Sequence, residues 1–479
     1  MTVTEIAIKR STLVVVIFAA LTLLGVTSYT MLNYDLFPKM DIPIVVVVTQ
    51  YPGASASEME STVTKKIEDA LASMENVKTM SSTSQESVSM IVVELYSGAN
   101  TDLALQDAQR KVNSIMYNLP DDITTPALYT FSMDDMPILK AGVTANMDPR
   151  KLYTLVDNQI KSQLSKMEGV GQVTLIGGTE REIQVKVNKH KLDSYNLTIS
   201  EIYSAISAAN LEYPTGKIEG DTKQYTVRLG GKFTSLNEIR NLVVAQRSDG
   251  EIKISDVAEV IDGAVEQKTI SRVNGVTSIG LSIQKQSDAN TVKVCSLLKA
   301  QMKILEQRYA DYGLKFTIAS DNSEYTMASA NAVMEDLLIA ILLVAIIMFL
   351  FLHSLRNSLI VLISIPTSII SVFTAMYVFD FSLNMLTLMA LSLVIGILVD
   401  DSIVVIENIY RHLEMGKDKV KASLDGRNEI GFTAVAITMV DVVVFLPLSM
   451  VSGMIGNMLR EFSLVVVFST LMSLFVSFT

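Results

Sequence analysis

The chain has 479 residues, 49% of them hydrophobic and 19% charged, with a formal net charge of −11. A mean hydropathy of +0.37 is too high for an ordinary soluble protein. A pI near 5.0 argues against nucleic acid as a partner, and a single cysteine, Cys295, excludes an intramolecular disulfide framework.

In chain order, Ser11 to Met31 is an uncharged run of about 20 residues behind Lys9 and Arg10, long enough to cross a bilayer. It is long for the core of a signal peptide, and no small-x-small cleavage site follows Gly25, so it reads as an uncleaved anchor. Mixed polarity then continues to residue 336. Ile44 to Tyr51 is a β-branched strand candidate closed by a Pro52-Gly53 turn, and a helix from about Ser57 to Met74 follows, capped by Ser55 or Ser57. Strands near Val77 to Ser82 and Val88 to Tyr96, and a helix from Thr101 to Leu119, complete a strand, helix, strand, strand, helix order. That is the grammar of a ferredoxin-like, split βαβ unit.

The grammar returns. Leu152 to Met167 reads as a helix, Val170 to Ile176 and Glu182 to Val187 as strands, and Leu192 to Asn210 as a helix region. The parallel between Met74-Glu-Asn-Val77 and Met167-Glu-Gly-Val170, each ending a helix, points to internal duplication. A third round has a strand at Val276 to Gln284, a helix at Asn290 to Tyr309 and a strand at Leu314 to Ile318. Pro214 to Gly220 reads as an exposed hairpin tip.

From Leu337 the apolar pattern resumes in five spans, 337–353, 357–378, 383–409, 432–452 and 462–479, giving six in all. Lys9, Arg10, Arg356, Arg411, Lys417, Lys419, Lys421 and Arg427 fall on one side of these spans, while the other short loops offer only Arg460. The basic side is cytoplasmic by charge bias, so residues 33–336 are expected outside. The fold class expected is therefore an α-helical membrane protein with six spans, one then five, plus an external α+β domain of repeated units.

Within the 383–409 span stand adjacent acids, Asp400 and Asp401. An ionised carboxylate in hydrocarbon costs at least about 2.5–3.5 kcal/mol, so such acids are paired, protonated or part of an ion pathway. Either they form a proton-carrying site, or the span ends near Val399 and they sit at the water boundary. Adjacent positions lie about 100° apart around a helix, so one can bind the cation while the other shapes its affinity. Asp441, in the apolar Phe432 to Met450 segment, is either a second proton site or an acid held in packing, for example by Thr438. No phosphate-binding glycine loop exists, since Gly230-Gly-Lys232 continues with Phe233. His190, His353 and His412 are scattered, without zinc-site spacing, and read as surface residues. Work would have to draw on an ion gradient, with no other cofactor.

The Gly396 to Asn408 block, Gly-Ile-Leu-Val-Asp-Asp-Ser-Ile-Val-Val-Ile-Glu-Asn, resembles the fourth transmembrane helix of resistance-nodulation-division (RND) transporters in their hydrophobe and amphiphile efflux branch. Tyr51-Pro-Gly-Ala54, Met167-Glu-Gly-Val-Gly171, Asp256-Val-Ala258 and Phe445-Leu-Pro447 match the same pattern in the right order. The resemblance implies proton-driven efflux from the bacterial inner membrane by a trimer with periplasmic porter domains, an adaptor and an outer-membrane channel. It implies an anchor at 1–32, porter subdomains at 33–132 and 133–331, a docking insertion at about 208–242, and membrane helices at 332–479. Asp400 and Asp401 match the family's proton-relay aspartates, and the deep substrate pocket falls at Pro137, Ile176 and Ser320. Asp441 departs from the pattern, as relatives carry a small hydroxyl or apolar residue there.

RND pumps have twelve spans in two halves, so the resemblance covers an N-terminal half. The other half, which supplies the relay's lysine, is expected in cis or in trans, with lipid around both. Two other readings stay open at this point. One is a non-transporting scaffold or inactive remnant. The other is metal-ion export, suggested by 25 methionines, with Met133 and Met136 flanking two acids. Against it, methionine usually fills cores and the adjacent Asp pair is unlike the metal branch.

Overall fold

The computed structural model describes residues 3–219, 224–247, 250–352, 355–451 and 453–479. A short helix α1 (Val3–Lys9) leads into the apolar helix α2 (Ser11–Met31), and the chain then leaves the helical bundle as strand β1 (Asp41–Gln50). Val45 and Val47 alternate onto one face of β1 and are fully buried, as a half-covered strand requires. At the Pro52-Gly53 turn Gly53 has φ +84°, a conformation that favours glycine. Ser55 then caps α3 (Ala56–Met59) by accepting from the Glu58 amide. A π turn at Glu60–Thr64 follows, then α4 (Lys65–Leu71). Met59, Val63, Ile67 and Leu71 make the buried stripe of this helix at a spacing of four residues. Next come β2 (Val77–Gln85), β3 (Val88–Leu95), α5 (Thr101–Ser114, capped by Asn100) and β4 (Ala127–Ser132). The sheet is antiparallel in the order β2-β3-β1-β4.

A second unit repeats this plan. Its parts are β5 (Leu139–Thr144), α6 (Pro149–Leu155), a π turn (Val156–Lys161), α7 (Ser162–Ser165) and β6 (Val170–Ile176), completed much later in the chain. In both units the first helix is interrupted by a π turn. Between β6 and its hairpin partner lies an inserted module. It comprises β7 (Arg181–Val187), α8 (Lys189–Tyr195), α9 (Ile199–Ala209), β8 (Glu212–Glu219), β9 (Gln224–Gly230), α10 (Leu236–Arg240), β10 (Val243–Arg247), β11 (Gly250–Lys253), α11 (Ile254–Val257) and β12 (Ala258–Ala264). Leu192, Leu197, Ile202, Ile239, Ile254 and Val257 give this module its own core. The second unit then finishes with β13 (Ser271–Val273), β14 (Val276–Lys285), α12 (Thr291–Arg308) and β15 (Lys315–Asp321). Its main sheet runs β6-β14-β5-β15, the same order and directions as the first.

The three rounds of the sequence grammar thus resolve into two units. The strand expected to follow Val170–Ile176 pairs instead with β12, inside the insertion, and β14 takes its place. Local pattern could not register this, because the true pairing joins strands separated by the whole insertion. Residues 214–219, expected as a hairpin tip, instead lie within strand β8, which pairs antiparallel with β9; the turn between them, 220–223, lies outside the described residues.

The remaining elements are apolar helices: α13 (Asn322–Leu352), α14 (Leu355–Val378), α15 (Met385–Glu414), α16 (Lys419–Leu448) and α17 (Met454–Phe478). Among the described residues five helices are long and apolar enough to cross a membrane: α2, α13 (over Asn322–Ile347), α15, α16 and α17. Ile363–Val378 of α14 is a shorter apolar stretch. Ile369, Val372 and Met376 of α14, Leu391 and Val394 of α15 and Val465 of α17 form the centre of the bundle. Gly25 lets α2 lie directly on α14, since a Cβ there would stand 2.0 Å from the Ile370 carbonyl oxygen.

Two polar joints tie the α/β part to the bundle. Buried Lys285, at the end of β14, lies 2.9 Å from Asp134 and 3.4 Å from Asp35, which also accepts from Thr291 at 2.9 Å. Asp321 ends β15 and Asn322 begins α13, so strand passes into helix without a linker. Burial would raise the Asp321 carboxyl, but the Lys299 ammonium 2.7 Å away and the Ser323 donors more than offset it, holding Asp321 below the usual carboxylate range.

Candidate functional site

Helix α15 begins at a complete capping box. The Asn384 side chain accepts from the Leu386 and Thr387 amides at 3.0 and 3.1 Å, and the Thr387 hydroxyl accepts from the Asn384 amide at 2.9 Å. Leu388, Leu391, Ile395, Leu398, Ser402, Val405 and His412 follow at helical spacing as the buried face, and Asp401 lies on this face at 8% exposure. Met385, Met389, Leu393 and Val404 make up the exposed side. Asp400 belongs to the same helix one turn before Val404, and its side chain is outside the described residues. The helix does not stop near Val399. It continues to Glu414, about 20 Å beyond Asp401 at 1.5 Å per residue.

Helix α17, which packs against α15, carries buried small hydroxyls at Ser463, Ser469, Thr470 and Ser473. Ser473 donates to the Leu398 carbonyl at 3.1 Å, three residues before Asp401. That carbonyl would ordinarily serve only the amide of Ser402, so the bond ties α17 to the backbone turn that bears the acid. Nearer the sheets, the Asn384 amide donates to Glu461 of α17 at 2.6 Å and to the Ser382 hydroxyl at 2.9 Å. At the other end Asn408 donates to the Gly426 carbonyl at 2.6 Å, and Arg411 and His412 both meet Glu429 at 2.6 Å. Gly426 permits this approach of α16, because a Cβ would stand 2.8 Å from Ile409 Cα.

Two cavities flank the helix. One, of about 220 Å³, is almost wholly apolar and is lined by Tyr29, Met334, Ile369, Phe373 and Leu391. The other, of about 430 Å³, reaches Ser402 beside Asp401 and carries Thr4, Tyr410, Lys419, Ser423 and Arg427.

The remaining sequence-based site residues distribute as follows. Asp441 sits half-exposed on α16 and has no hydrogen-bonding or ionic partner among the described residues; Thr438 donates to its own helix at the Ala434 carbonyl, 3.0 Å away, and not to the acid. Ile176 and Ser320 occupy strands β6 and β15 of the second sheet, at register positions opposite Gly280 and Lys140. Alternation puts both on the face turned away from the Leu139, Leu281 and Ile283 core. Pro137 lies just before β5, where its carbonyl accepts from Asn322. The structure therefore gathers Pro137 and Ser320 at one end of the sheet and leaves Ile176 on the far strand.

His412 corrects an expectation. It is 7% exposed and bonded to Glu429, not a surface residue. His190 is exposed and His353 lies outside the described residues. Sequence reasoning missed Glu461, Asn384 and the hydroxyl stripe of α17. The signals were present as Ser382-Leu-Asn-Met-Leu-Thr387, a capping box ahead of an apolar run, and as Ser469, Ser473 and Ser477 recurring every four residues.

A long apolar helix with an acid on its packed face, five membrane-length helices and a duplicated α/β domain constrain the family closely. The model of the AcrB/AcrD/AcrF family matches residues 3–479, and the chain belongs to that family of RND transporters.

Proposed function

We propose that the chain is the N-terminal half of a proton-driven antiporter that exports hydrophobic or amphiphilic compounds across the bacterial inner membrane. Asp400 and Asp401 carry the proton. The observation that bears most weight is Asp401, a carboxyl on the packed face of an apolar bundle, with a polar cavity reaching the adjacent Ser402. Neutralising it removes the cost of burying its charge, so gain and loss of a proton change how tightly α15 sits on α17. Asp441 is an accessory intramembrane acid.

The two α/β units, whose β2-β3-β1-β4 and β6-β14-β5-β15 orders fit a ferredoxin-like plan, act as periplasmic porter subdomains at 33–132 and 133–331. The inserted module, including 208–242, serves docking. Substrate meets the open face bearing Ile176 and Ser320, near Pro137. Counting α14, six spans cross the membrane. Apolar side chains such as Phe432, Val443 and Leu23, each more than half exposed, face lipid or a second half joined in cis or in trans. Assembly follows the family: a homotrimer with a periplasmic adaptor and an outer-membrane channel.

The test is efflux by cells lacking other pumps, comparing wild type with Asp400→Asn and Asp401→Asn at equal membrane abundance. Each substitution keeps side-chain volume while removing the titratable proton, so efflux is expected to fall to background. Wild-type efflux in both variants refutes the relay.

A further inference from the structure

Glu461 is a buried acid that the relay does not use. It lies within the second turn of α17, 8% exposed, and its Oε2 accepts from the Asn384 amide at 2.6 Å. Asn384 is itself completely buried and is the cap of α15. One carboxyl thus grips, through one amide, the start of the helix that bears Asp400 and Asp401. The charged groups around it are already engaged. Asp35 is held by Lys285 and Thr291, and Lys39 by Asp288 and Asp380 at 3.2 and 3.3 Å. The charges close enough to act on Glu461 are Asp35, Lys39 and Asp380, two negative and one positive. Among the described residues no Lys, Arg or His forms an ion pair with it.

We infer that Glu461 is a second proton-binding site, at the end of the bundle nearest the sheets, which takes its proton from external water and sets how firmly α17 holds α15. As a carboxylate it accepts a charge-assisted bond from Asn384, roughly twice as strong as a neutral one. Once it takes a proton from hydronium and releases water, the same amide faces a neutral carbonyl oxygen and the grip weakens. The change is felt further along, because α17 is one rod. Ser473, about 18 Å from Glu461 at 1.5 Å per residue, holds the Leu398 carbonyl beside Asp401. External protons therefore loosen one end of a helix pair whose other tie lies at the relay. This rests on the reading of Asp400 and Asp401 as proton carriers and of the sheets as external.

The experiment is infrared difference spectroscopy of the full chain in proteoliposomes as external pH is stepped, paired with efflux measured over the same range. A protonated-carboxyl carbonyl band is expected to grow on acidification, to vanish in Glu461→Gln and to persist in Asp401→Asn. Glutamine retains an oxygen for Asn384, and Glu461→Asp, still titratable, is expected to restore the band, which separates loss of a proton site from loss of fold. Efflux by Glu461→Gln is expected to lose its dependence on external pH. A band unchanged in Glu461→Gln overturns the site, and a lost band with an unchanged efflux profile overturns its coupling to α15. Wild-type efflux by both Asp400→Asn and Asp401→Asn would instead sink the relay, an outcome distinct from both.

Discussion

The α/β units and the helix bundle are packed on different terms. The sheets bury Val45, Ile91, Leu139, Leu281 and Ile283 almost completely, and the large side chains at those cores are apolar. Helices α15 and α17 instead bury Asp401, Ser402, Ser469, Thr470, Ser473 and Glu461 alongside Val465 and Leu398, and are tied by the Ser473–Leu398 and Asn384–Glu461 bonds. In water, apolar burial drives association at roughly 25 cal/mol per Å². Between helices in lipid that drive is absent, because the tails are as apolar as leucine, and close contact plus hydrogen bonds must do the holding. The same protein therefore buries polar groups between its helices that would be costly in its sheets.

Substitutions can strain this contrast from either side. The largest expected effect on stability is in the sheets. Leu281→Ala should cost about 2–5 kcal/mol, read as a lowered unfolding midpoint of the full chain in detergent by circular dichroism. A loss within 0.5 kcal/mol, the range of surface changes, would break the claim that this core is apolar and tightly filled. The joint between the regions comes next. Asp321 has its carboxyl held below the ordinary value of about 3.9, so its contribution is present above that pH and is lost as pH falls through the lower folded value. Asp321→Asn should therefore lower stability at neutral pH by about 1.5–3 kcal/mol and flatten the acid limb of the stability profile below about pH 4. An acid limb identical to wild type would show that the Lys299 contact does not matter. The smallest effect is expected in the bundle. Ser473→Ala removes the bond to Leu398 at a cost of about 0.6 kcal/mol, yet should change efflux more than stability. If stability falls as far as in Leu281→Ala, the two regions are not packed on different terms.

Where the sequence could be read, it was through patterns that act locally. The Ser11 to Met31 run, the Pro52-Gly53 turn and the Asp pair inside an apolar stretch each need only neighbours along the chain to be interpreted. The pairing of β6 with β14 does not, because it skips the inserted module, and a strand at 181–187 with equally good alternation offered itself first. Helix ends also lie beyond what an apolar run marks. The helices that carry the spans expected at 337–353 and 432–452 begin at Asn322 and Lys419, because charged turns outside the apolar stretch continue the same helix. Polar partners lay furthest from view: nothing near Asn384 announces Glu461, and nothing near His412 announces Glu429, since each pair joins separate helices.

The direct passage from β15 into α13 has one more consequence. With no loose residue between Asp321 and Asn322, and with Lys299 clasping the junction, nothing at that point can absorb a twist. The second sheet is fitted to its helix as a handle to a shaft about 46 Å long. Whatever tilts the handle must turn the shaft, and a push on the shaft from within the membrane must swing the handle.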